Sequence, residues 1–149
     1  MYFSSTKWHR ISLMKILVMG LPGSGKTYLT ERLVPLLEAA WYNADKVRTM
    51  ANDWDFSESG RLRQSMRMKT FADFEKANGR FVVCDFVCPT KETRENFEPD
   101  IVIWLDTISS GRFEDTNKIF QKPESVDFHV TEWNETNHIE IAEKLLKNV

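Results

Sequence analysis

One run of residues constrains this chain more than any other feature: Gly20-Leu21-Pro22-Gly23-Ser24-Gly25-Lys26-Thr27, a match to G-x-x-x-x-G-K-[ST]. Glycines let the main chain wrap an anion so that successive N–H groups point inward. Just before the run, Lys15–Met19 (KILVM) is a short apolar stretch that reads as a buried parallel strand. Just after it, in KTYLTERLVPLLEAA, Leu29, Leu33, Leu36 and Leu37 fall near helical spacing. A helix that opens at Lys26 aims its positive dipole end into the loop. The loop is therefore read as a polyphosphate cradle shaped by Gly20, Pro22, Gly23, Ser24 and Gly25, with Tyr28 as a further contact on the first helical turn. Lys26 reaches the β- and γ-phosphates, and the Thr27 hydroxyl ligates Mg²⁺.

The rest of the chain alternates strand and helix signals. Pro35 lacks a backbone donor, so a kink or late break is expected around Val34. Residues 41–43 read as a second short strand, followed by a helical or irregular segment from Lys46. A long helix is predicted over 59–78, with Ser57 or Ser59 as N-cap, Gly79 beyond its end, and Met66, Phe71 and Phe74 on its core face. Residues 80–85 and 100–106 are apolar runs rich in Val and Ile, and each ends in an aspartate, Asp85 and Asp106. Residues 107–123 lack periodicity and read as a loop or lid, 126–130 as a last strand, and 139–146 as the closing helix. Strands alternating with helices imply right-handed crossovers, hence an α/β fold with a mostly parallel central sheet flanked by helices. Ligands in that architecture bind beyond the carboxyl ends of the strands, where the glycine loop and both aspartates fall.

Composition narrows the function classes. At 149 residues and 42% hydrophobic, the chain suits one domain with a sizeable core, set at 14–149 with 1–13 as a loose extension. The formal net charge of −2 excludes a polyanion binder that works by bulk charge, and nucleic acid is not expected as a partner. The charge is uneven: residues 1–91 carry 14 basic and 9 acidic side chains, residues 92–149 carry 6 and 13. Cations thus concentrate in the half that holds the anion-binding loop. Two cysteines, Cys84 and Cys88, with no ligand cluster nearby, suit a free-thiol protein of a reducing cytoplasm. No run approaches the roughly 18 apolar residues of a membrane span. ATP is expected over GTP, because no Asn-Lys-x-Asp guanine-reading motif occurs.

Two further clusters bear on the acceptor. Asn43-Ala44-Asp45-Lys46-Val47-Arg48 follows the second strand, and Asp55-Phe56-Ser57-Glu58-Ser59-Gly60-Arg61-Leu62-Arg63-Gln64 leads into the long helix. In this order the chain resembles the adenylylsulfate kinase family, a P-loop kinase family whose members read G-L-x-G-x-G-K-[ST], then D-G-D-N-x-R, then F-S-x-x-D-R-x-x-N. Asp45 and Arg48 match the second element; Phe56, Ser57 and Arg61 match the third, with Gln64 in the asparagine position. Phe86-Val87-Cys88-Pro89 is similar to F-I-S-P, Asp106-Thr107 to the D-T after the fourth core strand, and Pro123-Glu124-Ser125 with His129 to the closing segment.

The resemblance implies a reaction, transfer of the ATP γ-phosphoryl group to the 3′-hydroxyl of adenylylsulfate, and a homodimer. It implies Asp45 as the acceptor of the hydroxyl proton and Lys26 as the stabiliser of the transferred group. Arg48 and Arg61 would hold the phosphosulfate, Phe56 the adenine, and Gln64, Phe86, Val87 and Cys88 the remaining acceptor wall. Residue chemistry agrees, since guanidinium forks suit such an anion and a flat ring suits a base. Asp85 is read as either a water-mediated Mg²⁺ contact or a capping residue, and Cys88 as a packed loop residue.

Three departures stand out. Asn43 and Gly60 replace family aspartates, and the lid is compressed into about residues 108–122 without an F-T-G. There Arg112 is the candidate for a lid arginine at the phosphates, and Phe113 or Phe120 for a second aromatic wall. Two other readings stay open: a P-loop kinase for another hydroxyl acceptor, and an ATP-binding regulatory protein without turnover.

Overall fold

The computed structural model of the chain describes residues 2–3, 15–111 and 113–147. Twelve elements follow in order: β1 (Tyr2–Phe3), β2 (Lys15–Met19), α1 (Lys26–Leu37), β3 (Ala40–Asn43), α2 (Ala44–Ala51), α3 (Glu58–Ala77), β4 (Val82–Asp85), α4 (Lys91–Phe97), β5 (Ile101–Leu105), α5 (Glu114–Ile119), β6 (Phe128–Val130) and α6 (Asn137–Lys147). The sheet order is β1-β6-β5-β2-β4-β3. Strands β2 to β6 run parallel, and β1, inside the segment read as an extension, pairs antiparallel with β6 at the edge. The chain leaves central β2 for β3 on one side and later crosses to β5 on the other, so β2 is where the connections change direction. A crevice opens at its carboxyl end.

Alternation along the strands builds two cores. Ile16, Val18, Val83, Ile101, Ile103 and Leu105 meet α1 and α6 on one face, through residues such as Leu33 and Ile141. Leu17, Met19, Val82, Cys84 and Trp104 meet α2, α3 and α4 on the other, through Val47, Met68, Ala72 and Phe97. Both faces of the sheet are covered, which is why the strands read as continuous apolar runs.

Several local expectations are corrected. Pro35 does not break α1 near Val34; the helix continues to Leu37 and ends at Glu38, whose left-handed backbone donates to the Pro35 and Val34 carbonyls. A proline in the last turn forfeits only one bond, and Leu33 and Leu37 are packed on either side of it. On α3 the buried residues are Gly60, Gln64, Ser65, Met68, Ala72 and Glu75, whereas Met66 and Phe74 are 53% and 63% exposed. Phe71 is half-buried and stacks on Tyr42 at 4.9 Å. Polar residues turn inward because partners await them: Glu75 accepts from the Tyr42 hydroxyl at 2.7 Å and from Arg80 at 2.9 Å, and Ser65 from Asn96 at 3.0 Å. The lid region contains a short helix, α5, which its sequence periodicity does not announce. Helix α4 is likewise too short to show periodicity, and a reciprocal Thr90–Thr93 capping box starts it.

An ionic brace fixes the loop between α2 and α3. Arg63 donates to Asp53 through Nε at 2.7 Å and Nη2 at 3.0 Å, and Arg67 adds a third bond at 2.9 Å. These guanidinium donors hold the Asp53 carboxyl well below its ordinary range. The folded state therefore resists protonation at Asp53 more than the unfolded chain does. Its contribution to stability is present above the ordinary carboxylate pKa of 3.8 and is lost as pH falls through the depressed folded value.

Two measurements check this account. Met68→Ala should cost about 2–5 kcal/mol in chemical denaturation, whereas Phe74→Ala should stay within about 0.5 kcal/mol. Thermal melts from about pH 2 to pH 7 should show a shallower acid loss in Asp53→Asn than in the parent chain, with the two curves running parallel above the carboxylate range.

Candidate active site

Helix α1 is started unlike its neighbours. Asn43, Ser57 and Thr90 cap α2, α3 and α4 with their side chains, and each of those helices carries an acid in its first turn. Helix α1 has neither: its N-cap is Gly25, with no side-chain cap and no acidic residue in the first turn. Its first amides and its dipole are left for an anion. Gly25 sits at φ 107°, in the left-handed region, and a Cβ there would lie 2.0 Å from the Trp133 ring. At Gly20 a Cβ would stand 2.5 Å from the Leu105 carbonyl oxygen, so the loop can turn this close to β5 only with glycine.

Lys26 folds back over the loop and donates to the carbonyls of Gly20 at 3.0 Å and Leu21 at 3.1 Å. Beneath it Ser24 is fully buried, its carbonyl accepting from Thr107 Oγ1 at 2.7 Å. Asp106 next to it pairs with His129 at 2.8 Å, and that imidazole stacks on Trp104 at 4.5 Å. The family-like D-T and His129 thus form a junction under the loop.

At the end of β4, Asp85 is almost wholly buried among donors. Trp41 Nε1 donates at 2.9 Å, Asn43 Nδ2 at 3.1 and 3.3 Å, and Thr27 Oγ1 at 3.4 Å. Burial raises its pKa, opposed by the Trp41 and Asn43 hydrogen bonds and the charge of Lys26. A hydroxyl and a single buried carboxylate are hard oxygen donors that suit Mg²⁺ arriving with a polyphosphate, and Thr27 and Asp85 are the residues that would hold it.

A cleft of about 780 Å³ runs from the loop to the α2–α3 side and to the lid. Pro22, Gly23, Gly25, Lys26, Thr27, Tyr28, Asp45, Arg48, Phe56, Arg61, Gln64, Asp85, Phe86, Val87 and Cys88 all line it. Gly20 and Ser24 are buried and do not line it, and Arg112 lies outside the described residues. Asn43, Ala44, Trp54, Pro89, Thr93, Phe113, Asp115 and Thr116 line it as well. Of these, Phe113 is one of the two aromatics expected from the lid. Phe120, the other, packs instead against the second core. Trp54 was not foreseen; its signal was an aromatic two residues before Phe56, in the same irregular stretch.

The lining residues do unequal work. Asp45 is exposed on the first turn of α2, facing the cleft. Arg48 is buried and donates to the Asp53 and Asp55 carbonyls at 2.8 and 3.3 Å, its guanidinium lying 4.4 Å from the Phe56 ring centre. Gln64 ties α3 to α2 by donating to the Ala44 carbonyl at 3.0 Å. Arg61 lines the same wall, and no hydrogen bond or ion pair engages its guanidinium among the described residues. Trp54 and Phe56 stand half exposed with ring centres 6.3 Å apart. Cys88 is buried in the wall, and that burial pushes its thiol up to about 12.

The sequence profile of the family described as Adenylylsulphate kinase matches residues 12–104. A probable adenylyl-sulfate kinase of Aeropyrum pernix is 37% identical over 84 residues, a stretch covering 50% of this chain and 44% of that protein. Among solved structures, the Mycobacterium tuberculosis APS kinase in complex with AMPPNP and APS superposes with a TM-score of 0.71 at 19% identity, covering 89% of this chain and 95% of that one. Shikimate kinase from Aquifex aeolicus gives 0.61 at 15% identity, covering 90% and 94%. The two structural likenesses speak for a P-loop kinase fold. The profile match, spanning the phosphate loop, the α2–α3 cluster and the Val87–Pro89 wall, places the chain in the adenylylsulfate kinase family.

Proposed function

We propose that the protein is an ATP-dependent kinase that transfers the γ-phosphoryl group to the 3′-hydroxyl of adenylylsulfate. The observation that carries this reading is a single cleft joining the uncapped start of α1 to an aromatic wall and an unengaged guanidinium, Arg61. A volume of about 780 Å³ is in the range that takes small-molecule ligands. The family membership and the probable adenylyl-sulfate kinase of Aeropyrum pernix support the same acceptor.

In this reading the loop amides and Lys26 hold the ATP phosphates, and Lys26 leaves the Gly20 and Leu21 carbonyls to do so. Mg²⁺ at Thr27 and Asp85, when bound, neutralises charge on the phosphates. Phe56 and Phe113 face the acceptor's base from the helix side and the lid side, and Arg61 meets its phosphosulfate. Arg48 acts mainly by stiffening the loop that carries Phe56. Asp45 accepts the proton as the hydroxyl oxygen bonds to the γ-phosphorus; the bond to the bridging oxygen breaks and ADP leaves with that electron pair.

A coupled assay for ADP release tests the proposal, with adenylylsulfate set against a panel of nucleosides, nucleotides, sugars and polynucleotide ends. Turnover with adenylylsulfate is expected. Turnover only with another hydroxyl would replace the acceptor, and Mg²⁺–ATP binding with no acceptor consumed would point to a regulatory protein. Lys26→Ala should abolish turnover, and wild-type rates in that variant would remove the loop from the chemistry. Asp45→Asn should lower kcat by about 10²–10⁴ while sparing ATP affinity.

A further inference from the structure

Arg94 does not itself line the cleft, yet its guanidinium joins two of the cleft's walls from behind. It projects from α4 and donates through Nε to the Cys88 carbonyl at 2.9 Å and through Nη2 to the Pro89 carbonyl at 3.2 Å. The same Nη2 donates to the carbonyl of Gln121, at the foot of the lid helix. Gln121 returns the contact twice: its N–H donates to the Pro89 carbonyl at 2.7 Å, and its Oε1 accepts from the Lys91 N–H at 2.7 Å. Phe120, one residue earlier, lies under the guanidinium at 5.3 Å.

Each partner has a reason to need this clasp. Cys88 holds a left-handed backbone, φ 47°, which a non-glycine residue keeps only where its surroundings impose it. Lid helix α5 buries none of its residues, so little packing of its own holds it against the body. The chain leading to it is anchored where Thr107 donates to the Ser24 carbonyl, within the phosphate loop. Its far end has the Arg94–Gln121 junction. Between these anchors it carries Phe113, Asp115 and Thr116 into the cleft.

We propose that Arg94 is a positioning residue for the acceptor: it locks the Cys88–Pro89 wall and the foot of the lid into one unit and so sets the gap that the acceptor's base enters. The proposal rests on the reading that this side of the cleft takes the acceptor. A planar fork that donates in three directions is needed, and an ammonium on a flexible stem does not reproduce it. Arg94→Lys should therefore rescue poorly.

Hydrogen exchange on the protein alone, without substrates, is the first test. In Arg94→Met, amides over 113–121 should exchange about tenfold faster or more, with those of α1 unchanged. Unchanged exchange over 113–121 overturns the clasp, whatever the substrate. The second test is kinetic: KM for adenylylsulfate should rise about tenfold while KM for ATP stays within about twofold. Equal rises in both constants would overturn an acceptor-specific role, because general loosening of the fold moves both. Gln121→Ala should act in the same direction, and the double variant should cost little more than Arg94→Met alone; fully additive effects count against a shared unit. Failure of the parent chain to use adenylylsulfate would count against the assigned reaction, and the exchange measurement would still decide the clasp.

Discussion

The start of α1 is the constraint on which the rest of the site depends. A helix normally answers its first amides with a side-chain oxygen and an early carboxylate, as α2, α3 and α4 do here. At α1 both are withheld, so its positive end has neither a side-chain cap nor a first-turn carboxylate. Around that end Lys26 lies over the loop, and Asp85, which accepts from Thr27 on the first turn, is buried and hydrogen-bonded. Glycine at positions 20 and 25 is what allows β5 and Trp133 to close upon this turn.

The departures from the family pattern acquire physical reasons once the sheet is assembled. Asn43 and Asp85 are register partners on adjacent parallel strands. A second carboxylate at 43 would stand directly against Asp85 and raise its pKa further, whereas the Asn43 amide donates to it. One buried acid with a neutral donor thus stands where two acids would repel. Gly60 follows a similar logic. A Cβ there would lie 2.2 Å from the Asp55 carbonyl oxygen and 2.5 Å from its carboxyl carbon, so Asp55 already fills the space a longer residue would need. Its carboxylate is bound to the Ser57 N–H at 2.9 Å, closing the turn before α3.

Much of the site was legible because it is local. The phosphate loop, the strand before it and the helix after it lie within 23 consecutive residues, 15–37, and each is specified by its own glycines, apolar run or periodicity. Phe56, Arg61 and Asp45 were legible by motif order. What escaped was non-local. Trp54 and Thr116 line the cleft only because α2, α3 and the lid meet. Arg48 looked like a substrate fork by residue type, but nearby carbonyls take one of its donors. The apolar residues of α3 misled because Met66 and Phe74 project to the surface while Gln64 and Glu75 find partners on α2, β3 and the chain beyond the helix.

Sequence by itself determined the parallel core strands, the helices with clear periodicity and the glycine-rich turn, since periodicity, glycine geometry and helix polarity act over a few residues, whereas the short α4 and α5 were not announced. Tertiary structure alone decided which charged groups stay available to a ligand. Arg61 and Asp45 remain open to the cleft, whereas donors of Arg48 and Arg94 are taken up by carbonyls 5 to 27 residues away in the chain. A side chain's chemistry is written in its type, but its freedom is set by the donors and acceptors that folding brings within about 3 Å.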